Sequence, residues 1–305
     1  MLDIRRLIVL RAIAAEGSIA AAGRALSYTR SAVSQQLTAL ESETGAKLVE
    51  RAGNRIALTS IGRALVEHTE RILVELRAAE AMLASDSQTV GGLLRVGVPF
   101  GEGPRTMSRA LTGVRERFPG LEIRLAATSD DTGAEEVRRG QVDMVIISRF
   151  GAAHPRSVPG LREWVLGSDA LRLCVPLGHK LAGAAEATIA ELHDEAWIIC
   201  PDSMLGRLII TMCATAGYEP QLAATANDLG TAVGLVGAGW GVTIAPELTP
   251  INPALPVVHV PLVGVATQRH SVLIVRDGEH LSPRIAATIA EVRATSAKNW
   301  THHEG

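Results

Sequence analysis

Hydrogen-bonding side chains cluster on one side of a short amino-terminal segment when it is drawn as a helix at about 100° per residue. They are Ser31, Ser34, Gln35 and Thr38. The opposite side holds three apolar side chains, Val33, Leu37 and Leu40. One side can therefore pack into a core, while the other is free to exchange hydrogen bonds with a polar surface such as the base edges in a DNA groove.

The elements around this segment predict a helix-turn-helix. Residues 18–41 read as two short helices joined by a three-residue turn, and a helix over residues 3–15 would cover both. Ser18 and Thr29 are typical amino-terminal caps, and Gly45 is a typical carboxy-terminal one. Arg30 places a positive charge at the start of the second helix, where we expect it to contact a phosphate or a guanine.

Residues 47–59 alternate between apolar and polar around Gly53 and Asn54, which predicts a β-hairpin with a basic tip. A hairpin directly after such a helix is a wing. Arg51 and Arg55 would flank its tip and meet the minor groove or the phosphate backbone. The alternative is that both are ordinary solvated arginines.

A long helix is predicted from residue 59, with an apolar seam at alternating spacings of four and three residues. The seam consists of Leu65, Thr69, Ile72, Leu76, Ala79 and Leu83. So narrow a stripe is buried most simply by a second copy of the helix, and packing on its own chain is the alternative. Residues 85–92 are predicted to be a linker.

Charge is distributed unevenly along the 305 residues, whose formal net charge is −2. Residues 1–66 hold nine basic and five acidic residues, a net charge of +4, so the remainder carries −6. This is the asymmetry expected when only one domain approaches phosphates. The length predicts two or three domains. The three cysteines form no disulfide pattern, and no leader or membrane-spanning segment is evident, so we expect a soluble, cytoplasmic protein with no membrane partner.

From residue 93 onward, short apolar runs alternate with helical stretches, which predicts an α/β fold with a parallel sheet. The runs fall into two sets, and the last strand and helix return to the first set. We therefore expect two lobes, one formed by residues 91–162 and 267–305 and the other by residues 163–266, with a hinged cleft between them.

Taken together, these segments resemble LysR-type transcriptional regulators over essentially the whole chain. The motifs that carry the resemblance are Ala21–Leu26, Ser31–Leu37, Gly45–Arg51, Gly140–Ile146, Pro176–Ala182 and Val236–Pro246. Two positions depart from the family pattern. Val49 stands where phenylalanine is usual, and Tyr28-Thr29-Arg30 replaces a small polar turn.

The resemblance implies a winged helix-turn-helix DNA-binding domain (1–60), a dimerisation helix with a hinge (61–90) and a two-lobed, periplasmic-binding-protein-like effector domain (91–305). It implies that the second helix enters the major groove of double-stranded DNA, with Gln35 suited to an adenine edge. It also implies homodimers or homotetramers on an interrupted palindromic operator, and it leaves RNA polymerase open as a partner.

A small-molecule effector is implied as well, and ligands of open α/β lobes sit at strand ends and helix starts. The candidate residues are Phe100, Gly101, Thr128, Ser129, Ser148, Arg149, Pro201, Asp202 and Ser203. With Arg149 as the charge, this set suits a small carboxylate. Two alternatives stay open: the hydroxyls are turn and cap residues, or Asp202 selects a cation.

Other classes of protein fit less well. A solute-binding protein without a regulatory role would explain the lobes but not the basic amino-terminal segment. We expect no enzyme activity, because no catalytic constellation is evident, and no cofactor, because Gly237, Gly239 and Gly241 lead into a strand rather than out of one. Metal binding is not expected. Redox sensing by Cys200 and Cys213 is disfavoured, because no neighbouring cation would stabilise a thiolate.

Overall fold

The computed structural model of the chain describes residues 1–52, 55–85, 90–99, 104–151, 158–249, 252–264 and 268–300. The chain forms two compact units. The amino-terminal unit comprises residues 1–86 with the short segments 158–160 and 277–282, and the carboxy-terminal unit comprises the rest. Within the described ranges, no helix has the length and apolar character needed to cross a membrane.

The amino-terminal unit is a winged helix-turn-helix followed by a long helix. Its elements are α1 (Ile4–Glu16), α2 (Ile19–Ala25), α3 (Arg30–Thr44), β1 (Val49–Ala52), β2 (Arg55–Leu58) and α4 (Ser60–Ser85). The side chains of Ser18 and Thr29 accept hydrogen bonds from the first turns of α2 and α3, as predicted. Gly45 ends α3 with φ of 64°, in the left-handed region that favours glycine.

One apolar core joins the helices of this unit. It contains Leu7, Leu10, Ile13, Val33, Leu37, Leu40 and Leu48, with Leu65 and Val66 of α4 packed against it. The start of α4 approaches the wing so closely that a Cβ on Gly62 would lie 2.0 Å from the carbonyl oxygen of Leu48. Glycine is therefore required at the position where α4 leaves the wing.

The carboxy-terminal unit alternates strands and helices. In chain order its elements are β3 (Gly92–Pro99), α5 (Pro104–Arg117), β4 (Leu121–Thr128), α6 (Gly133–Arg138), β5 (Met144–Gly151), β6 (Leu161–Pro176), β7 (Ala196–Ile199), α7 (Met204–Thr215), β8 (Gln221–Thr225), α8 (Leu229–Gly237), β9 (Thr243–Pro246), β10 (Val257–Pro261), β11 (Gln268–Arg276) and α9 (Pro283–Trp300). These elements build two lobes, each around a core of its own.

The sheet of the first lobe has the order β4-β3-β5-β11-β6. Strand β3 runs parallel to β4 and β5, but β11 runs antiparallel to both β5 and β6. The sheet is mixed, so the prediction of a parallel sheet is wrong for β11, whereas β6 runs in the same direction as β5. Helices α5 and α9 cover the core of this lobe, which includes Leu94, Met144 and Ile285.

Strand β6 is shared by both lobes. Residues Leu161 to Ala170 pair with β11 in the first lobe, and residues 171–176 pair with β9 and β10 in the second. The predicted lobe boundary between residues 162 and 163 therefore falls inside a continuous strand. In the second lobe β7 and β8 form a separate parallel pair, and α7 and α8 pack beside the strands.

A buried ionic cluster ties together the strands of the first lobe. The carboxylate of Asp143 accepts hydrogen bonds from the backbone N–H of Arg95 and from the guanidinium groups of Arg95 and Arg276, at 2.8 to 3.1 Å. Burial alone would raise the pKa of Asp143, but these hydrogen bonds outweigh burial and hold the pKa below its ordinary value. Asp143 is therefore a charged member of the core at neutral pH.

Candidate nucleic-acid interface and small-molecule cleft

The polar face of α3 is the first candidate site. Five side chains predicted to contact DNA are exposed there: Arg30, Ser31, Ser34, Gln35 and Thr38. Val33, Leu37 and Leu40 on the other side are at most 6% exposed and lie in the core. The hydroxyl of Thr29 caps the helix by accepting a hydrogen bond from Ala32 N at 3.1 Å. The structure thus presents the whole predicted set on one free helical face.

The turn before α3 depends on close backbone packing. A Cβ on Gly23 would lie 2.8 Å from the carbonyl oxygen of Tyr28, and Ser27 adopts a left-handed conformation with φ of 57°. Tyr28 N donates a hydrogen bond to Gly23 O at 2.7 Å. These contacts fix the direction in which α3 leaves α2, and so the direction of its exposed face.

The wing is a two-stranded antiparallel hairpin, as predicted. Arg51 lies opposite Ile56 in the strand register, and Ala52 lies opposite Arg55. Both arginines are therefore at the end of the hairpin that leads to residues 53–54. Those two residues, and the side chains of Arg51 and Arg55, lie outside the part that the structure describes. Their contact with DNA stays a prediction.

Several basic residues of this unit are already matched by acids. Arg6 pairs with Glu43, and Lys47 pairs with Glu41 at 2.7 Å. The nearest carboxylate oxygen to Arg11 is that of Glu70, at 3.7 Å. Arg30 is exposed and belongs to none of these pairs, so its charge is available to a phosphate at the start of α3.

The seam predicted on α4 divides into two parts. Ile72, Leu76, Ala79 and Leu83 are exposed, with Ile72 and Leu76 each 45% and Leu83 73% exposed. Thr69 is fully buried and donates its hydroxyl to Leu65 O at 2.7 Å. The prediction is wrong for Thr69, because its side chain packs within its own unit. Leu65 is half-buried and packs on the helix-turn-helix core. We call the four exposed residues the α4 row.

A cleft between the two lobes is the second candidate site, with a cavity of about 270 Å³. Five predicted residues line it: Thr128, Ser129, Ser148, Asp202 and Ser203. Pro201 is not among its lining residues. Phe100 and Gly101 lie outside the described residues. The carboxyl ends of β4 and β5 and the start of α7 supply most of the polar lining, as expected for open α/β lobes.

Arg149 does not line the cleft, and its predicted role is wrong. Side chains alternate along a strand, so Ser148 and Phe150 face the cleft while Arg149 points away from it. Its guanidinium forms a bidentate pair with Glu163 at 2.5 and 2.6 Å. The expectation of a small carboxylate rested on this cation together with the hydroxyls of Thr128 and Ser129 and the backbone amides at the start of α7. The pairing with Glu163 removes the cation from that set.

Two of the hydroxyls hold the local backbone. Ser203 caps α7 by accepting a hydrogen bond from Gly206 N at 2.9 Å and donates to Cys200 O at 2.8 Å. Ser129 Oγ accepts from Thr132 N at 3.1 Å. The alternative interpretation of these serines as cap and turn residues therefore holds. Thr128 differs, because it is 5% exposed and its Oγ1 has no hydrogen-bond partner among the described residues.

Three aspartates that line the cleft, Asp130, Asp131 and Asp228, are absent from the predicted set. The first two directly follow Thr128 and Ser129 at the end of β4, so the same strand-end rule would have found them. Asp131 forms an ion pair at 2.6 Å with Arg207, which also donates to Asp202 O at 2.8 Å. Asp131 belongs to the first lobe and Arg207 to the second, so this ion pair spans the cleft.

Cys200 also lines the cleft. Burial, with a further contribution from Asp228, raises its pKa to about 11, and burial raises the pKa of Cys174 to about 12. Burial likewise raises the pKa of Cys213 above its ordinary value. Burial therefore keeps all three thiols protonated at neutral pH, and the absence of redox sensing stays a prediction.

Two family models match the chain. Residues 4–63 match the family model described as "Bacterial regulatory helix-turn-helix protein, lysR family", and residues 87–297 match the model described as "LysR substrate binding domain". The chain therefore belongs to the LysR family. It is a DNA-binding transcriptional regulator with an effector-binding domain.

Similar proteins include two bacterial regulators of gene expression. A probable hydrogen peroxide-inducible genes activator of Mycobacterium avium is 30% identical over 238 residues, which are 77% of this chain and 75% of that protein. The transcriptional dual regulator GltC of Bacillus subtilis is 27% identical over 220 residues, 72% of each chain. Both of these similar proteins are named as regulators of gene expression.

Solved structures show the same fold. A full-length OxyR variant from Pseudomonas aeruginosa superposes with a TM-score of 0.62 at 17% identity, covering 97% of this chain and 95% of that one. Full-length CbnR in complex with its target DNA gives 0.51 at 24% identity, covering 97% and 100%. At these identities the likeness establishes the architecture of helix-turn-helix, linker helix and two-lobed domain.

Proposed function

We propose that this regulator binds an interrupted palindromic operator as a homodimer or a homotetramer, with a small molecule in the cleft between the lobes modulating that binding. The observation that carries the proposal is the division of α3 into a buried apolar side and an exposed polar side. A helix of this kind, presented behind a tight turn and beside a wing, fits the major groove.

In this proposal the residues of α3 contact different parts of the DNA. Gln35 reads an adenine edge, Arg30 contacts a phosphate or a guanine, and the serines and Thr38 contact the groove. The wing arginines, Arg51 and Arg55, meet the minor groove or the backbone. The exposed α4 row joins two chains, so that the reading helices are presented to two half-sites.

The effector acts through differential affinity. A small molecule in the cleft shifts the regulator only to the extent that it binds one arrangement of the lobes better than another. The Asp131–Arg207 ion pair crosses the cleft, so its formation differs between open and closed arrangements. In this proposal, the equilibrium between open and closed arrangements of the lobes links effector binding to operator binding.

The experiment that tests DNA reading is a gel-shift titration with Gln35→Ala. We expect binding to the cognate duplex, sought in the DNA flanking the protein's own gene, to weaken by about 1–3 kcal/mol, with little change on a random duplex. Gln221→Ala, an exposed glutamine on β8, is the matched control. Equal losses on both duplexes would refute base reading by Gln35, and the absence of any salt-sensitive shift by the wild type would refute operator binding.

A further inference from the structure

The charged side chains that line the cleft are all acidic among the residues that the structure describes, and Arg207, which is not a lining residue, pairs with Asp131. Four aspartates line the cleft, Asp130, Asp131, Asp202 and Asp228, and its described lining contains no lysine, arginine or histidine. A carboxylate placed there would be repelled, whereas a cation would be attracted and only weakly screened inside the cavity.

The four carboxylates are not equally available. Asp228 caps α8, and its two oxygens accept hydrogen bonds from Thr231 N and Thr231 Oγ1 at 2.9 and 2.8 Å. Asp131 is held by Arg207 at 2.6 Å. Asp202 is exposed at the rim. Asp130 is the one that lies deeper in the cleft and has no ionic partner among the described residues.

Asp130 is fixed in place and lacks charge compensation. Its Oδ1 accepts a hydrogen bond from Ser148 N at 2.6 Å, which orients the carboxyl group at the junction of β4 and β5. Burial, reinforced by the neighbouring Asp131, raises its pKa to about 6. At neutral pH the carboxylate is therefore ionised at a cost, and a bound cation would relieve that cost.

A second and independent feature beside Asp130 also lacks a partner. The hydroxyl of Thr128 lines the same cavity, is buried, and makes no hydrogen bond within the described part of the chain. Buried hydroxyls are almost always satisfied, so this hydroxyl is available to a polar group of a ligand that enters the cavity. An N–H donor would satisfy Thr128 Oγ1 and a carboxylate oxygen of Asp130 together.

Large apolar side chains form part of the remaining lining, beside polar residues such as Asn227 and Thr243. Phe150, Met204, Leu205, Ile209, Leu229 and Ile244 contribute to it. A cavity of about 270 Å³ is close to the lower end of the size range of small-molecule pockets. The cavity thus suits a compact molecule with one charged end and an aliphatic or aromatic body.

We propose that the cleft selects a small primary amine, whose ammonium group pairs with Asp130 and hydrogen-bonds to Thr128 while its hydrocarbon body contacts the apolar lining. This inference rests on the proposed role of the cleft as the effector site and specifies its ligand class. It replaces the small carboxylate expected from the sequence.

The test is calorimetric titration of the full-length protein at pH 7 with matched pairs of probes. The pairs are hexylamine with heptanoate, and phenethylamine with hydrocinnamate, so that only the charged group differs. We expect saturable binding of both amines and none of either carboxylate. Asp130→Asn should weaken hexylamine binding about tenfold or more, because a charged hydrogen bond is lost. Thr128→Val should weaken it about fivefold.

Asp194→Asn is the matched control, since Asp194 is an 88% exposed aspartate outside the cleft. It should leave the titration unchanged. In Asp130→Asn the new amide oxygen can still accept the Ser148 N–H, so the variant is expected to fold, and near-ultraviolet circular dichroism checks this. Carboxylate binding equal to amine binding, unchanged hexylamine affinity in Asp130→Asn, or the absence of saturable amine binding would each overturn the proposal. Failure of operator binding would instead appear in the gel shift without any probe.

Discussion

Truncation of Leu76 tests the α4 row most directly. Full burial of a leucine side chain contributes about 1.5–3 kcal/mol. Leu76 leaves 45% of its surface exposed, so burying that fraction contributes about 0.7–1.4 kcal/mol per chain and about 1.4–2.7 kcal/mol per dimer. If the row is the seam between two chains, Leu76→Ala should raise the dimer dissociation constant about ten- to eightyfold.

Sedimentation equilibrium over a dilution series measures this change. Leu222→Ala removes a leucine that is 51% exposed on β8, away from the row, and should leave the dissociation constant unchanged. The buried part of Leu76 contributes about 0.8–1.7 kcal/mol within one chain, so urea titration under monomeric conditions should show a loss of this size and no more. An unchanged dissociation constant, or an equal change in Leu222→Ala, would refute the assignment of the α4 row.

Three further predictions concern the fold and the cleft. Asp143→Asn removes the charge faced by two arginines and should lower the free energy of unfolding by about 3 kcal/mol in urea titration, and a loss below about 1 kcal/mol would contradict the ionic cluster. Gly62→Ala should cost about 1–3 kcal/mol, because its Cβ meets Leu48 O, whereas Gly178→Ala has open space and should be neutral. The pKa of Asp130 is raised from 3.8 to about 6 in the folded state, so the folded state binds a proton more tightly than the unfolded state. The wild type should therefore lose about 1–3 kcal/mol of stability relative to Asp130→Asn as the pH rises from about 4 to about 6. A difference in free energy of unfolding that stays constant over this range would contradict the prediction.

Local signals predicted the amino-terminal unit well, because its elements are specified within a few residues. Ser18 and Thr29 cap the helices as expected, and Gly45 ends α3. Each cap depends on one hydrogen bond between a side chain and a backbone N–H three residues later. The end of α3 depends on the backbone conformation of Gly45 alone. The exposed face of α3 followed from the same helical period.

Features that depend on distant partners were not predictable in the same way. Spacings of four and three residues placed Thr69 on the α4 seam, but such spacings contain no information on whether a side chain is buried within its own chain, as Thr69 is. The run that contains Arg149 is apolar enough to be buried on both faces, so its alternation gave no sign that Arg149 faces Glu163. The antiparallel direction of β11 is likewise a property of chain return rather than of its residues.

In the cleft, some lining residues were predictable from the sequence, but the charge of the cleft was not. The strand-end rule found Thr128, Ser129 and Ser148, but the charge of the cleft was misjudged, because it depends on which side chains are already paired. Arg149 is engaged with Glu163, and Asp130 has no ionic partner in the described part of the chain. Neither fact is contained in the spacing of the residues.

The segments 158–160 and 277–282 give the chain an unusual anatomy. They belong to the unit of α4 although residues of the other unit precede and follow each of them, so the backbone passes between the two units five times rather than once. Asp277 N donates to Gly160 O at 3.0 Å, and Arg77 of α4 donates to Asp277 O at 3.2 Å. A protein made of residues 87–305 alone would keep both segments but lose the helix that they pack against. No single cut in the chain therefore separates an intact amino-terminal unit from an intact carboxy-terminal unit.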